Sequence, residues 1–314
     1  MAQSILFVLV WSSGYLVGSV GARHGPPLAL LAWRLLLALA VLVAVAAITR
    51  APWPDRPVQY LHLLVAGTLL QTVQLGGIYI GLGLGVPAGL SSLILSASPL
   101  LVSAAAGPLL SEWLAPRQWA GLGLGLAGVA VSLSRGLTGG AHLVGYAFTA
   151  LALIGFAAGT LYQKRFGTAV DLRTATTIQV VGATITSFPL AALHGGLGLP
   201  GTAPVLGALV WLAIVNSIGS FALLFALLRR RSGGAATSLL YLVPPVTALL
   251  AVPILGQPVS PEALVGMGLS GVGVGLVVAG PRRAATSTAR NALRSIVRTC
   301  LPVPQTMPRR GSRG

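Results

Sequence analysis

The amino-acid sequence predicts an all-α integral membrane protein with ten transmembrane helices, arranged as two inverted five-helix repeats. Of its 314 residues, 55% are hydrophobic and 8% are charged, and the mean hydropathy of +0.87 is too high for a soluble domain. The apolar residues form ten stretches of about 20 residues, the length that a helix needs to cross a bilayer core. Shifting the chain by 145 residues superimposes prolines and polar residues of its two halves.

The ten stretches are continuous apolar runs, which favours helices over the short alternating strands of a membrane barrel. We number them as helices 1 to 10. They lie near residues 2–20, 27–49, 60–81, 87–110, 116–134, 143–163, 174–194, 205–228, 235–256 and 261–280. Helix 1 is interpreted as a span and not as a secretory signal, because residues 1–4 include no basic residue.

The repeat divides the chain into residues 1–136, residues 143–280 and a basic tail, residues 281–314, which is predicted to be disordered or to lie on the anionic inner leaflet. Because five is an odd number, the second copy must enter the bilayer from the opposite face. Inverted repeats of this kind are related by a pseudo-two-fold axis in the membrane plane and are typical of secondary transporters that work by alternating access.

The net charge of +16 is explained by orientation in a membrane. With a cytoplasmic N-terminus, seventeen of the 20 basic residues fall on cytoplasmic loops and the tail. This asymmetry is the positive-inside pattern, so both termini are predicted to be cytoplasmic and no nucleic-acid partner is expected. Of the 20 basic residues 19 are arginine, which is typical of a GC-rich bacterial genome and favours the bacterial inner membrane.

Two blocks of sequence resemble a known family. Residues 91–133 and 236–280 are similar to the fourth and fifth helices of EamA-type carriers in the drug/metabolite transporter superfamily, as are WSSGY in helix 1 and PPLALLAWRLLLALAVL in helix 2. That family runs helices 4 and 9 into a GE-(L/V)-(S/T)-P turn. Here the turns read SEWLAP and GQPVSP, so Gln257 replaces the usual second glutamate. The resemblance spans residues 1 to about 280 and implies a secondary transporter of a small organic metabolite or drug, acting as an exporter or exchanger.

Polar residues on one face of helix 4 and the matching face of helix 9 are candidates for the transport pathway. Each set ends in a proline, which removes one backbone hydrogen bond near the membrane midplane and predicts a helix break used in gating. The residues are Ser92, Ser96 and Pro99 on helix 4, and Thr237, Tyr241 and Pro244 on helix 9. Alternatively, the hydroxyls bond carbonyls of their own helix or help helices to pack.

Six further residues are candidates for substrate binding, because polar or aromatic side chains inside the spans should face protein or water and not lipid. The 145-residue shift pairs Gln71 of helix 3 with Asn216 of helix 8. The six residues are Trp11, Ser13, Gln71, Gln74, Asn216 and Ser220. Interhelical hydrogen bonding and simple packing of the tryptophan remain as alternatives.

Arg34 is the one charge clearly inside a predicted span, and no acidic residue lies at a comparable depth. Its guanidinium could bind an anionic group of the substrate, such as a carboxylate. Alternatively, Arg34 is structural. It lies seven residues after Pro27, about 10 Å along a helix, so its long side chain could extend to the outer surface.

The four acidic residues fall in loops or at helix ends, which leaves no carboxylate at the midplane for proton or sodium coupling. This favours facilitated diffusion or exchange, with His62 and Glu112 as candidates for proton coupling from the cytoplasmic side. No span holds a His/Asp/Glu cluster, so neither an enzyme, a metal site nor a cofactor is expected. The alternative to a transporter is a non-transporting membrane scaffold or lipid-handling protein.

Small residues four apart in helices 5 and 10 allow close helix packing. Gly121, Gly125 and Gly128 form this pattern in helix 5, and Gly271 and Gly275 form it in helix 10. They pack either within the monomer or in a homodimer, and both alternatives remain open. The expected partners are a small-molecule substrate and the lipid bilayer, and a second copy of the chain is the partner in the homodimer alternative.

Overall fold

The computed structural model of the chain describes residues 2–110, 114–136, 143–167, 170–220, 223 and 238–278. Every regular element within these residues is helical. The predicted site residues Glu112 and Thr237 lie outside the described residues, as does the tail.

The helices are labelled here in chain order, with two π-helical segments as π1 and π2. They are α1 (Ala2–His24), α2 (Pro27–Ile48), α3 (Pro57–Gly67), π1 (Thr68–Val73), α4 (Gln74–Gly83), α5 (Ala88–Ser96), α6 (Ser98–Leu110), α7 (Pro116–Gly136), α8 (Leu143–Phe166), α9 (Leu172–Leu193), α10 (Ala203–Val210), π2 (Trp211–Gly219), a 3₁₀ helix (Ser238–Leu242), α11 (Val243–Leu255) and α12 (Pro261–Val278).

Six helical stretches in the described residues are long and apolar enough to cross a membrane, and three shorter apolar helices accompany them. The six begin at Gln3, Pro27, Pro57, Ala88, Leu143 and Leu172. The helical, multi-span character predicted from composition is therefore confirmed, whereas the number of ten spans stays a prediction.

The predicted helix 4 is divided in two. The α-helix is interrupted at Ala97, whose amide donates to the carbonyl of Ile94, three residues earlier, at 3.1 Å. Pro99 follows directly at the start of α6 and has no amide proton to donate. In the second repeat Pro244 lies at the start of α11, after the 3₁₀ helix. Both prolines therefore mark a change of helical path.

The glycines of α7 and α12 pack against each other within the chain. A Cβ atom on Gly121 would lie 2.6 Å from the carbonyl oxygen of Gly273, and one on Gly128 would lie 2.6 Å from that of Gly266. In contrast, a Cβ atom on Gly271 or Gly275 would meet nothing within 4 Å. A homodimer through these helices stays a prediction, and it would have to use the outward glycines.

Candidate substrate site

Arg34 is the centre of a buried polar cluster. Arg34 is only 5% exposed, and every nitrogen of its guanidinium donates a hydrogen bond. Nη1 donates to the Tyr79 hydroxyl, and Nη2 donates to Asn216 Oδ1 at 2.9 Å. Both Nε and Nη2 donate to Ser217 Oγ, each at 3.1 Å. The alternative in which Arg34 extends to the surface is therefore wrong, since its side chain points into the helix bundle.

The hydrogen-bond acceptors around Arg34 are all neutral. Among the described residues no carboxylate pairs with it, and Asp171 pairs instead with Arg173 at 2.8 Å. A buried charge is costly unless an opposite charge or several hydrogen bonds compensate for it. Here hydrogen bonds alone provide that compensation.

Asn216 connects this cluster to α1. Its Nδ2 donates to the carbonyl oxygen of Val10 at 3.0 Å, while its Oδ1 accepts from Arg34. The close approach depends on Gly14, because a Cβ there would lie 2.6 Å from Asn216 Nδ2. Ser13 belongs to the same region, where it donates to Val10 at 2.7 Å and accepts from Trp211 Nε1 at 2.9 Å. The structure thus brings together Ser13, Arg34 and Asn216.

The two π-helical segments occupy equivalent positions in the repeats. Shifted by 145 residues, Thr68–Val73 falls inside Trp211–Gly219, and each segment contains one member of the Gln71 and Asn216 pair. A π turn changes the direction of the side chains that follow it and frees backbone carbonyls, and it is frequent at functional sites. In π2 the hydroxyl of Ser217 donates to the carbonyl of Leu212, five residues earlier, at 2.9 Å. The sequence paired the two amides but did not predict the π-helical segments that contain them.

Gln71 and Gln74 are both half-buried, one in π1 and one at the start of α4. Neither side chain has a hydrogen bond to another described residue, in contrast to the fully engaged Asn216. The structure therefore does not join them to the Arg34 cluster.

The hydroxyls of α5 follow the local alternative. Ser92 donates to Gly89 at 2.8 Å, and Ser96 donates to Leu93 at 2.7 Å, each three residues earlier on the same helix. Ser96 nevertheless lines a cavity of about 50 Å³ together with Tyr241 and Pro244. This volume is enough for one or two water molecules. Three of the predicted pathway residues therefore meet at one small cavity.

Two other candidates are placed near the core. Ser220 is 3% exposed, and its hydroxyl has no hydrogen-bond partner among the described residues. Trp11 is half-buried and packs on Phe7 with ring centroids 5.4 Å apart. This contact is consistent with the packing alternative for Trp11.

His62 takes part in an aromatic cluster between α3 and α8. Its Nδ1 lies 2.8 Å from the hydroxyl of Tyr162, and its ring stacks on Phe166 with centroids 4.9 Å apart. Described carboxylates are absent from these contacts, so proton coupling through His62 stays a prediction.

Gln257 links the two repeats at the beginning of α5, a contact that the sequence did not predict. Its Oε1 accepts a hydrogen bond from the amide of Ala88 at 3.0 Å. Nearby, a Cβ on Gly89 would lie 2.9 Å from that of Ala248, which shows how closely α5 and α11 approach. Ala88 has one of the first amides of a helix, which has no partner within the helix itself.

Replacing Gln257 with leucine should lower the unfolding temperature, because the loss of a helix cap costs about 0.5–2 kcal/mol. Gln257→Glu is the matched control, since a carboxylate also accepts from Ala88 and is favoured at a helix N-terminus. Tryptophan fluorescence during heating of the detergent-solubilised protein provides the measurement. Equal destabilisation by both substitutions would contradict a capping role.

The profile of the EamA-like transporter family matches residues 2–134 and 143–279. A probable amino-acid metabolite efflux pump of Salmonella typhimurium is 30% identical over 281 residues, which cover 85% of this chain and 89% of that protein. A probable terminal-alkyne amino-acid exporter of Streptantibioticus cattleyicolor is 32% identical over 215 residues, 65% of this chain and 70% of that protein.

A solved crystal structure has the same fold. It is 20% identical and covers 93% of this chain and 97% of its own, with a TM-score of 0.58. At this identity the likeness concerns the fold alone.

Proposed function

We propose, because the chain belongs to the EamA-like transporter family, that it is a secondary transporter that exports a small metabolite of the amino-acid type by alternating access. In this proposal the protein lies in the inner membrane of a bacterial cell. It crosses that membrane ten times, as two inverted repeats, and both of its termini are cytoplasmic. The role of the Arg34 cluster is to bind part of the substrate between the repeats.

The observation that carries this proposal is the pairing of helix irregularities between the repeats. π1 corresponds to π2, and the break before Pro99 corresponds to the change from 3₁₀ to α-helix at Pro244. Within a bilayer, irregular backbone is tolerated where it is covered by protein or lines a cavity. Discontinuous helices in corresponding positions of two repeats are the usual mark of a transporter's binding site. A scaffold protein has no need of such paired irregularities.

The names of the relatives support the substrate class and the direction. One is named as an efflux pump for amino-acid metabolites and another as an exporter of an amino acid with a terminal alkyne. Such solutes combine charged groups with an apolar side chain. The Arg34 cluster offers buried donors, and the neighbouring α1 offers the half-buried ring of Trp11.

Counterflow in proteoliposomes tests the proposal. Vesicles preloaded with one unlabelled L-amino acid should accumulate the same labelled amino acid, and the common amino acids are tested in turn. Failure of every solute to exchange would instead favour the scaffold or lipid-handling alternative.

The site assignment is tested by Ser96→Ala, Tyr241→Phe and Gln71→Ala, because unchanged counterflow in all three would remove these residues from the pathway. Acidification of the lumen during transport would show proton coupling.

A further inference from the structure

We infer that Asn216 makes the Arg34 site selective for a carboxylate on the substrate, because Asn216 is a neutral partner of Arg34 and no carboxylate of the described residues pairs with this arginine. This inference rests on the proposed transport function and specifies its substrate class. It makes Asn216 the residue that determines charge specificity, and Arg34 the group that binds the substrate.

One edge of the Arg34 guanidinium has the geometry that binds a carboxylate. Its Nε and Nη2 atoms form the edge with two parallel donors that binds both oxygens of a carboxylate. Here a single oxygen, Ser217 Oγ, accepts from both donors at 3.1 Å. A carboxylate would give Nε an acceptor of its own, since Nη2 already donates to Asn216 Oδ1 at 2.9 Å, and it would add a negative charge beside the guanidinium. We therefore expect a substrate carboxylate to replace the hydroxyl of Ser217 as the acceptor on this edge.

The opposite edge of the guanidinium is fixed by the protein. Nη1 donates to Tyr79, which is 1% exposed, and the ring of Tyr79 lies against Gly18, where a Cβ would be 3.0 Å from it. Tyr79 therefore holds Arg34 in place while the Nε and Nη2 edge changes partner. It acts as a positioning residue.

Asn216 determines whether the charge of Arg34 is compensated by the protein before an external anion binds. Its Oδ1 lies 2.9 Å from Arg34 Nη2. A carboxylate oxygen at this distance would form a salt bridge with Arg34. Asparagine and aspartate have nearly the same shape, so aspartate here would neutralise Arg34 from within the protein. An internal carboxylate would then compete with that of the substrate. The amide provides the contact without the charge.

The test compares ligands that differ only in this charge. Purified wild-type protein is heated with each common L-amino acid and, separately, with the primary amide of that amino acid. The acid concentration that gives a chosen rise in unfolding temperature is compared with the amide concentration that gives the same rise. We expect wild type to prefer the acid by about 10- to 100-fold, since charge-assisted hydrogen bonds are worth that factor. Asn216→Asp should lose this preference, whereas Asn216→Ala, which is neutral, should retain it while binding both ligands more weakly.

A second pair of variants covers the case in which Asn216→Asp does not fold, because its carboxylate would also face the carbonyl of Val10. Ser217→Asp places a carboxylate on the same edge of Arg34, and Ser217→Ala is its neutral control. Equal binding of acid and amide by wild type would overturn the inference, as would an acid preference that persists in the aspartate variants. Loss of preference in the neutral variants would do the same. Because this readout is binding, a negative counterflow result would remove the transport proposal without deciding the charge selectivity.

Discussion

Replacing Gly67 with alanine is expected to prevent stable folding. Gly67 ends α3 where this helix crosses α9, and a Cβ there would lie 2.5 Å from the Cα atom of Gln179. The opposing atoms belong to the backbone, so no side-chain rotation can relieve the clash. From the other side, a Cβ on Gly182 would lie 2.5 Å from the carbonyl oxygen of Leu64. The two glycines therefore allow α3 and α9 to touch along their backbones.

The expected effect follows from two opposing terms. Alanine favours an α-helix over glycine by about 1 kcal/mol, whereas overpacking a close contact costs about 1–3 kcal/mol or more. The cost of overpacking at Gly67 should be at the upper end of this range, because the opposing atoms are backbone atoms. It should therefore exceed the gain from the helix propensity of alanine, and the protein should be destabilised. The measurement is the yield of monodisperse protein on size-exclusion chromatography, together with the unfolding temperature of whatever remains.

Gly207→Ala is the matched control for Gly67→Ala. Gly207 lies in α10, and a Cβ there would meet nothing within 4 Å. Its replacement should leave the yield unchanged or raise the unfolding temperature slightly. If both variants behaved alike, the close crossing of α3 and α9 would be contradicted.

This crossing illustrates which part of the packing could be predicted. The packing glycines of α7 were recognised because small residues close together on one helix form a local pattern, whereas Gly271 and Gly275, recognised in the same way, do not face α7. Gly67 and Gly182 are single glycines on helices far apart in the sequence, and their meaning depends on a partner that no local pattern specifies. The helical class and the EamA resemblance, in contrast, are confirmed, since composition and motif are properties of short segments.

The candidate site shows the same division. The sequence singled out Arg34 and Asn216 separately, but not as partners, because the rotation of each helix about its axis decides which side chains meet. Tyr79 was not among the candidate residues, yet it is 1% exposed and accepts a hydrogen bond from Arg34. The π-helical segments have no residue signature of their own. The 145-residue pairing of Gln71 with Asn216 marked the two positions as equivalent polar residues, but it did not predict a π-helix at either of them.

Replacing Arg34 with methionine is expected to reduce transport to the background of empty vesicles. Methionine keeps an unbranched side chain of comparable length but removes the charge and every hydrogen bond to Tyr79, Asn216 and Ser217. Arg34→Lys should retain a small part of the activity, because a lysine ammonium keeps the charge but lacks the two parallel donors. Counterflow of the exported amino acid is the measurement for both variants.

Thermal unfolding of the same variants separates a binding role from a structural one. Removing a buried cation whose partners are all neutral relieves the cost of its desolvation, which offsets the loss of its hydrogen bonds. Arg34→Met should therefore unfold within a few degrees of wild type although its transport is lost. Arg23→Met, at the exposed end of α1, is the matched control and should change neither property. A large fall in unfolding temperature together with the loss of transport would contradict the binding role. It would mean that Arg34 holds the helices together, because replacing a residue that the fold needs destabilises the whole protein.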